Sequence, residues 1–148
     1  MLRVLTLSLA MALSACATTG MYDAPSGQQT VKLTVDNKLS GGNDSASQGG
    51  GWQMPGQSAP VRAAIFTVDE DRVAEQAGLP SVKLEPGKHK IQVFADRSGI
   101  LRFGTFRYKF KEAGNYTVSI GAGDGADKYE LKLIDQAVPD KVLVKKDF

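Results

Sequence analysis

The chain has 148 residues but only one cysteine, one histidine and one tryptophan. A single cysteine, Cys16, excludes a disulfide within the chain and a zinc site built from several cysteines. A Ser-His-Asp hydrolase would have to use His89, and no serine after residue 15 lies in a G-x-S-x-G motif. The sequence therefore predicts a protein that is not an enzyme, with no catalytic residue, no metal site and no cofactor.

The chain also lacks a strong excess of charge and a long apolar run. It has 18 basic and 16 acidic residues, and without residues 1–15, which include Arg3, the balance is 17 to 16. Such a balance gives no reason to expect a nucleic acid partner. The apolar run Val4–Leu13 is much shorter than the ~20 residues that a membrane-spanning helix needs. Behind the single charge of Arg3, it has the layout of a secretory signal peptide.

The residues Leu13-Ser14-Ala15-Cys16 follow that run directly. They resemble the lipobox of bacterial lipoproteins. The resemblance implies that residues 1–15 are removed and that Cys16 becomes a first residue carrying fatty acyl chains such as palmitate. A secreted protein with a chance cysteine near its cleavage site is the alternative. In lipoproteins of this type an Asp after the cysteine marks retention in the inner membrane, so Ala17 favours a periplasm-facing anchor in the outer membrane.

The remaining chain divides into a tether and one domain. Residues 16–29 are small and polar and predict a flexible tether that lifts the domain off the lipid. Residues 30–148 predict one folded domain, interrupted at 40–60 by a glycine-rich loop.

Alternation of apolar and polar residues recurs along this domain, with turn signals between the segments. The predicted strands lie at 31–35, 61–68, 81–84, 88–94, 100–110, 116–120 and 129–133, with a further edge strand at 142–144. Residues 69–71 predict an acidic turn. About seven short strands at this spacing predict an all-β fold, an antiparallel β-sandwich of the transthyretin or immunoglobulin-like type.

Two segments resemble known envelope domains. Residues 82–93 contain Glu85-Pro86-Gly87-Lys88-His89 and resemble the "L-x-P-G-x-H-x-V-x-V" hairpin of PEGA-type domains and transthyretin-like lipoproteins. Residues 113–118 resemble the "aGxxYxv" strand entry of the same domains. The resemblance implies a tight turn, a sandwich and an aromatic residue entering its core, and it transfers no catalytic residue. A weaker resemblance, in the strand that follows the tether, is to the sandwich lipoprotein of type VI secretion assemblies.

The stretch 88–111 carries seven cations against one acid, Asp96. The cations are Lys88, Lys90, Arg97, Arg102, Arg107, Lys109 and Lys111. One interpretation is a solvated sheet face whose cations protect an edge from aggregation. The other is a basic patch that binds lipid A phosphates, peptidoglycan carboxylates or an acidic protein, and Arg102, Arg107 and Lys109 are its candidate residues.

Trp52, in the glycine-rich loop, is a second candidate binding residue, because tryptophan is enriched at binding hot spots. Alternatively, it folds back and pins the loop to the domain. The sequence Gly121–Asp127 has neither the Lys-Ser/Thr of a P-loop nor EF-hand spacing, so it predicts a hairpin loop.

Together these observations predict a lipid-anchored envelope protein that acts as a binding or scaffolding module at the periplasmic face of the outer membrane. The alternatives are an accessory lipoprotein of a secretion system, a lysozyme-inhibitor-like lipoprotein and a periplasmic hydrolase.

Overall fold

The computed structural model describes residues 20–39, 62–74, 81–97, 99–125 and 127–148. Within these ranges the chain is all-β, with nine strands and no helix. The strands are β1 (Val31–Asn37), β2 (Arg62–Val68), β3 (Asp71–Arg72), β4 (Ser81–Leu84), β5 (Gly87–Arg97), β6 (Ile100–Phe110), β7 (Gly114–Ala122), β8 (Tyr129–Asp135) and β9 (Val142–Asp147).

The strands form two sheets that share one apolar core. One sheet has five strands in the order β4-β1-β7-β8-β9, and the other has four in the order β3-β2-β5-β6. Alternation places one side of each strand in the core and the other side in solvent. In β1, for example, Val31, Leu33 and Val35 are buried, and β5 buries Ile91 and Val93 against them in the same cluster. This confirms the prediction of an all-β chain and is consistent with a β-sandwich.

The prediction of about seven antiparallel strands was wrong in two respects. The described chain has nine strands, and β1 pairs with β7 in parallel. The additional strand β3 arises because Val68 and Asp71 pair across Asp69-Glu70. Both turn residues have positive φ, 51° for Asp69 and 80° for Glu70, as a two-residue type I′ hairpin turn requires.

The hairpin predicted at Glu85-Pro86-Gly87 was also wrong. β4 pairs with β1 in the five-stranded sheet, whereas β5 pairs with β2 and β6 in the four-stranded sheet. The Pro-Gly turn therefore carries the chain from one sheet to the other. The predicted hairpin loop between β7 and β8 was correct, since these two strands pair antiparallel on either side of it.

The last residues of the chain bridge the two sheets. Phe148 exchanges backbone hydrogen bonds with Tyr129, and its ring lies over Gly104 of β6, where a Cβ atom would be 2.8 Å from the ring. The Tyr129 hydroxyl donates to the Ile100 carbonyl at 2.6 Å. Lys146 Nζ donates to the Thr105 carbonyl at 2.8 Å. These contacts cover part of β6, which is an edge strand.

Residues just before β1 also contact the domain. Gly20 N donates to Asp71 Oδ1 at 3.0 Å, Gly20 O accepts from Arg72 N at 2.9 Å, and Met21 forms a parallel bridge with Arg72. The Tyr22 hydroxyl donates to the Lys83 carbonyl at 2.8 Å. The chain therefore joins the β3 edge of the four-stranded sheet at Gly20, four residues after Cys16.

Candidate functional site: the outer face of the four-stranded sheet

The side of the four-stranded sheet that faces away from the core combines exposed apolar and cationic side chains. The register of β5 and β6 decides which residues share it: Phe94 pairs with Phe103, Gln92 with Thr105, Lys90 with Arg107, and Lys88 with Lys109. Since side chains alternate between the two faces of a strand, these pairs lie on the side opposite to buried Ile91 and Val93.

One end of this outer face is apolar. We call Phe66, Phe94, Leu101 and Phe103 the aromatic patch. The ring centroids of Phe66 and Phe103 are 5.2 Å apart, and those of Phe66 and Phe94 are 6.4 Å apart in an edge-to-face arrangement. Leu101 and Phe103 are each 46% exposed, so nearly half of each side chain remains in contact with solvent.

Phe66 reaches the aromatic patch through an irregularity in β2. The pairing of β2 with β5 shifts between Ile65 and Thr67, which leaves Phe66 as the additional residue of a β-bulge. The Arg72 guanidinium lies over the Phe66 ring, 5.1 Å from its centroid, so a cation from β3 packs on the aromatic patch.

The other end of the outer face is cationic. We call Lys88, Lys90, Arg107 and Lys109 the basic patch. Lys90 Nζ is paired with Glu70 Oε1 at 2.9 Å. Among the described residues, no carboxylate lies within ion-pairing distance of Lys88, Arg107 or Lys109. Gln92 and Thr105 form the polar row that separates the two patches.

The outer face of the five-stranded sheet is different in character. There Glu130 accepts from Lys132 at 2.5 Å and from Lys145 at 2.7 Å, and these hydrogen bonds lower the pKa of the Glu130 carboxyl. Gln136 Nε2 donates to the Thr117 hydroxyl at 2.9 Å. The charges of Glu130, Lys132 and Lys145 are therefore paired on this side. Lys32 and Lys83 lie at its other end and have no ion pair in the described chain, but no aromatic ring accompanies them.

The three basic residues predicted as a binding set do not share one face. Arg107 and Lys109 are exposed on the outer face, within the basic patch. Arg102 has the opposite parity in β6, pairs with buried Ala95, and lies 3.6 Å from Asp127 Oδ2 in an ion pair. The structure thus separates Arg102 from Arg107 and Lys109. The other two site predictions, lipidation of Cys16 and binding by Trp52, fall on residues outside the described ranges.

Sequence reasoning missed the aromatic patch and its proximity to the cations. A usable signal was present in β6, because Leu101 and Phe103 have the same parity as Arg107 and Lys109. The contribution of Phe66 had no such signal, since it depends on the bulge in β2 and on the pairing of distant strands.

His89 is held in a separate network at the base of β5. Its Nδ1 is 2.6 Å from Asp69 Oδ2, and its Nε2 is 2.8 Å from the Glu85 carbonyl oxygen. Asp69 Oδ1 also accepts from Lys90 N at 2.8 Å. Both ring nitrogens therefore already face acceptors within the protein, which leaves neither of them directed at a substrate. The network joins the β2–β3 turn to the β4–β5 turn.

A cleft of about 540 Å³ lies beside this network, lined by Tyr22, Pro25, Glu85 and His89 among others. Burial raises the pKa of the Tyr22 hydroxyl to about 12, with smaller contributions from the negative charges of Asp69, Glu85 and Asp23. Tyr22 is therefore a neutral donor at neutral pH, bound to the Lys83 carbonyl.

The described residues contain no group of three or more His, Cys, Asp or Glu side chains placed to hold a metal ion. A helix of sufficient length and apolarity to cross a membrane is likewise not found among them. No protein-family model, curated protein or solved structure matches this chain.

Proposed function

We propose that this chain is a lipid-anchored protein of the bacterial cell envelope and that it acts as a binding module through the aromatic patch and the basic patch. One observation carries the binding proposal. The outer face of the four-stranded sheet exposes aromatic rings and unpaired cations together, whereas the outward residues of β1, β4, β7 and β8 in the other sheet include no aromatic side chain. Aromatic and cationic side chains exposed on one surface suit a partner that offers apolar and negatively charged groups together.

The anchor and the location rest on the sequence. The basic residue Arg3, the short apolar run and Leu13-Ser14-Ala15-Cys16 support removal of residues 1–15 and acylation of Cys16. Ala17 supports a periplasm-facing position in the outer membrane. We also propose a transthyretin-like type for the sandwich, supported by the resemblance of residues 113–118 and by the burial of Tyr116 at the start of β7.

A binding role fits the chemistry of the described residues better than a hydrolytic one. His89 has both ring nitrogens directed at acceptors of the protein itself. A general base must instead present a free nitrogen within hydrogen-bond reach of the proton it removes. The outer face of the four-stranded sheet offers charged and apolar surface, which serves recognition.

The anchor is tested by metabolic labelling with palmitate in a Gram-negative host, followed by separation of inner and outer membranes. The wild-type chain is expected to carry label and to sediment with the outer membrane. A Cys16→Ala variant is expected to carry none and to appear in the soluble periplasmic fraction. Label on the Cys16→Ala chain, or an unlabelled wild-type chain, would refute the anchor.

The binding face is tested by crosslinking in intact envelopes and purification of the anchored chain. The double variant Arg107→Glu/Lys109→Glu is expected to lose captured material. Its matched control, Lys32→Glu/Lys83→Glu, changes charge equally, because these exposed lysines form a register pair between β1 and β4. Equal capture by both variants would show that the basic patch is not the binding surface.

A further inference from the structure

We propose that the aromatic patch and the basic patch rest on the anionic headgroup surface of the same bilayer that holds the Cys16 anchor. This inference deepens the proposed function and rests on its acylated Cys16. The outer face of the four-stranded sheet then lies against a bilayer leaflet with phosphate headgroups. This contact fixes the orientation of the domain on that leaflet.

The anchor and the domain lie close together along the chain. Gly20 is hydrogen-bonded to Asp71 and Arg72 at the β3 edge of the four-stranded sheet. Only three residues lie between Cys16 and Gly20. Even fully extended, the four residue-to-residue steps from Cys16 to Gly20 span at most about 14 Å. The β3 edge is therefore held within about 14 Å of the lipid surface.

The thickness of the sandwich bears on which sheet faces the lipid. Gly20 and Met21 lie beside β3, at the level of the four-stranded sheet. Packed sheets are about 10 Å apart, and side chains on an outer face add roughly 5 Å more. With the five-stranded sheet against the membrane, the anchoring segment would have to cover about 15 Å and would therefore be fully extended, at the limit of its reach. With the four-stranded sheet facing the membrane, only the height of one side-chain layer separates Gly20 from the lipid.

The direction of the chain at Gly20 also favours this orientation. Met21 bridges Arg72 in parallel, so Gly20 and Met21 run in the same direction as Asp71 and Arg72, away from the Asp69-Glu70 turn. The Asp69-Glu70 turn directly before Asp71 contacts β5, where Lys90 Nζ meets Glu70 Oε1. The chain therefore enters the fold at the end of the four-stranded sheet where the basic patch lies.

The side chains of the outer face also suit a membrane surface. Protein surfaces that lie in a membrane interface pair Phe or Leu side chains with Lys and Arg. The outer face has both, with Leu101 and Phe103 each 46% exposed and with Arg107 and Lys109 free of ion pairs in the described chain. An anionic leaflet attracts such cations within a Debye length of its surface, about 8 Å at physiological salt. Asp96 and Glu70 are the acids near this face, and Glu70 is neutralised by Lys90.

The test measures which face of the domain meets the lipid. Cys16 is the only cysteine and is acylated under this proposal, so Thr105→Cys or Thr34→Cys adds a single free thiol. Both are half-buried strand threonines, Thr105 between the two patches and Thr34 on the outer face of the five-stranded sheet. The full acylated chain is purified, labelled with an environment-sensitive fluorophore and reconstituted into vesicles of phosphatidylethanolamine and phosphatidylglycerol that contain a headgroup-level spin-labelled lipid.

The expected result is at least twofold stronger quenching at position 105 than at position 34. The excess is expected to fall in the Arg107→Glu/Lys109→Glu background and in phosphatidylcholine vesicles. Gln92 is the register partner of Thr105, so Gln92→Cys is expected to give the same result. It replaces Thr105→Cys if labelling at position 105 disturbs folding. Equal quenching at the two faces, or an excess at 105 that the charge reversal leaves unchanged, would overturn the inference.

The same preparation separates failure of this inference from failure of the proposed function. Intact mass reports whether Cys16 is acylated. An acylated chain with equal quenching at both faces refutes the membrane orientation alone and leaves an envelope protein or a glycan as the partner of the face. A chain without acyl groups refutes the anchor, and with it the orientation.

Discussion

The rings of Phe66 and Phe103 lie with their centroids 5.2 Å apart on the outer side of the four-stranded sheet, although β2 and β6 are not neighbours in that sheet. The contact crosses over β5, whose Phe94 lies beside Phe66. Aromatic rings are usually buried against a core. Here they cluster on the solvent side, and this arrangement is what makes the outer face a candidate for binding.

Truncation of two phenylalanines of β6 is expected to separate stability from binding. Phe110 is 1% exposed, so Phe110→Ala should lower the free energy of unfolding by about 3–5 kcal/mol through loss of burial and a residual cavity. Phe103 is 46% exposed, and Phe103→Ala should cost less than about 1 kcal/mol. Urea unfolding measures both values. A similar loss in the two variants would contradict the assignment of Phe103 to a surface.

The alternation of apolar and polar residues predicted most of the strands but not which strands pair with each other. Ser81–Leu84 and Ile100–Phe110 are strands in the structure with the bounds that the sequence predicted. Alternation reports which side of a strand is apolar, and it is the same whichever sheet the strand joins. For this reason the pairing of β4 with β1, rather than with β5, was not readable from the sequence.

The candidate site was predictable only in part for the same reason. The exposure of Arg107 and Lys109 follows from their alternation with buried Phe106 and Phe110. The grouping with Phe66 depends on a bulge and on long-range register, which are decided by the packing of whole sheets. Arg102 was predicted by composition alone, and parity within β6 puts it on the other side of the strand.

The contact of Phe148 with Gly104 predicts a steric effect of a single methyl group. A Cβ at position 104 would lie 2.8 Å from two atoms of the Phe148 ring, so Gly104→Ala should lower the free energy of unfolding by about 1–3 kcal/mol. Gly121→Ala is the matched control, because the Cβ there would meet nothing closer than 4.0 Å. Differential scanning calorimetry compares the two variants.

A double-mutant cycle checks that the cost arises from this contact. In a Phe148→Ala background the ring is gone, and Gly104→Ala should then cost less than it does in the wild-type chain. An unchanged cost would show that Phe148 does not limit the space at position 104.

The network of Asp69 and His89 predicts a second stability effect. Asp69→Ala removes the acceptor for His89 Nδ1 and for Lys90 N, and it places alanine at φ 51°. We expect a loss of about 1–3 kcal/mol from the lost hydrogen bonds and the backbone strain. Asp69→Asn, which tolerates this φ and keeps an acceptor, should lose less. Exposed Asp140→Ala serves as the control in urea unfolding, and an equal effect there would refute the role of Asp69.

Tyr22 predicts a change of stability at high pH. Its pKa is raised from 10.0 to about 12, chiefly by burial, so above pH 10 the folded chain keeps a proton that the unfolded chain has lost. The contribution of neutral Tyr22 is therefore complete below pH 10 and is lost as the pH rises from 10 to 12. Urea unfolding at pH 9 and pH 11 should show a larger loss for the wild-type chain than for Tyr22→Phe. Equal losses would contradict the raised pKa.

Photocrosslinking from two positions in living cells tests most directly whether the outer face of the four-stranded sheet is the binding surface in the envelope. Benzoylphenylalanine replaces Phe103 in one strain and Ile134, on the outer side of the five-stranded sheet, in the other. Under this account, crosslinked products form from position 103 and not from position 134. Products of equal or greater yield from position 134, or none from position 103, would contradict it.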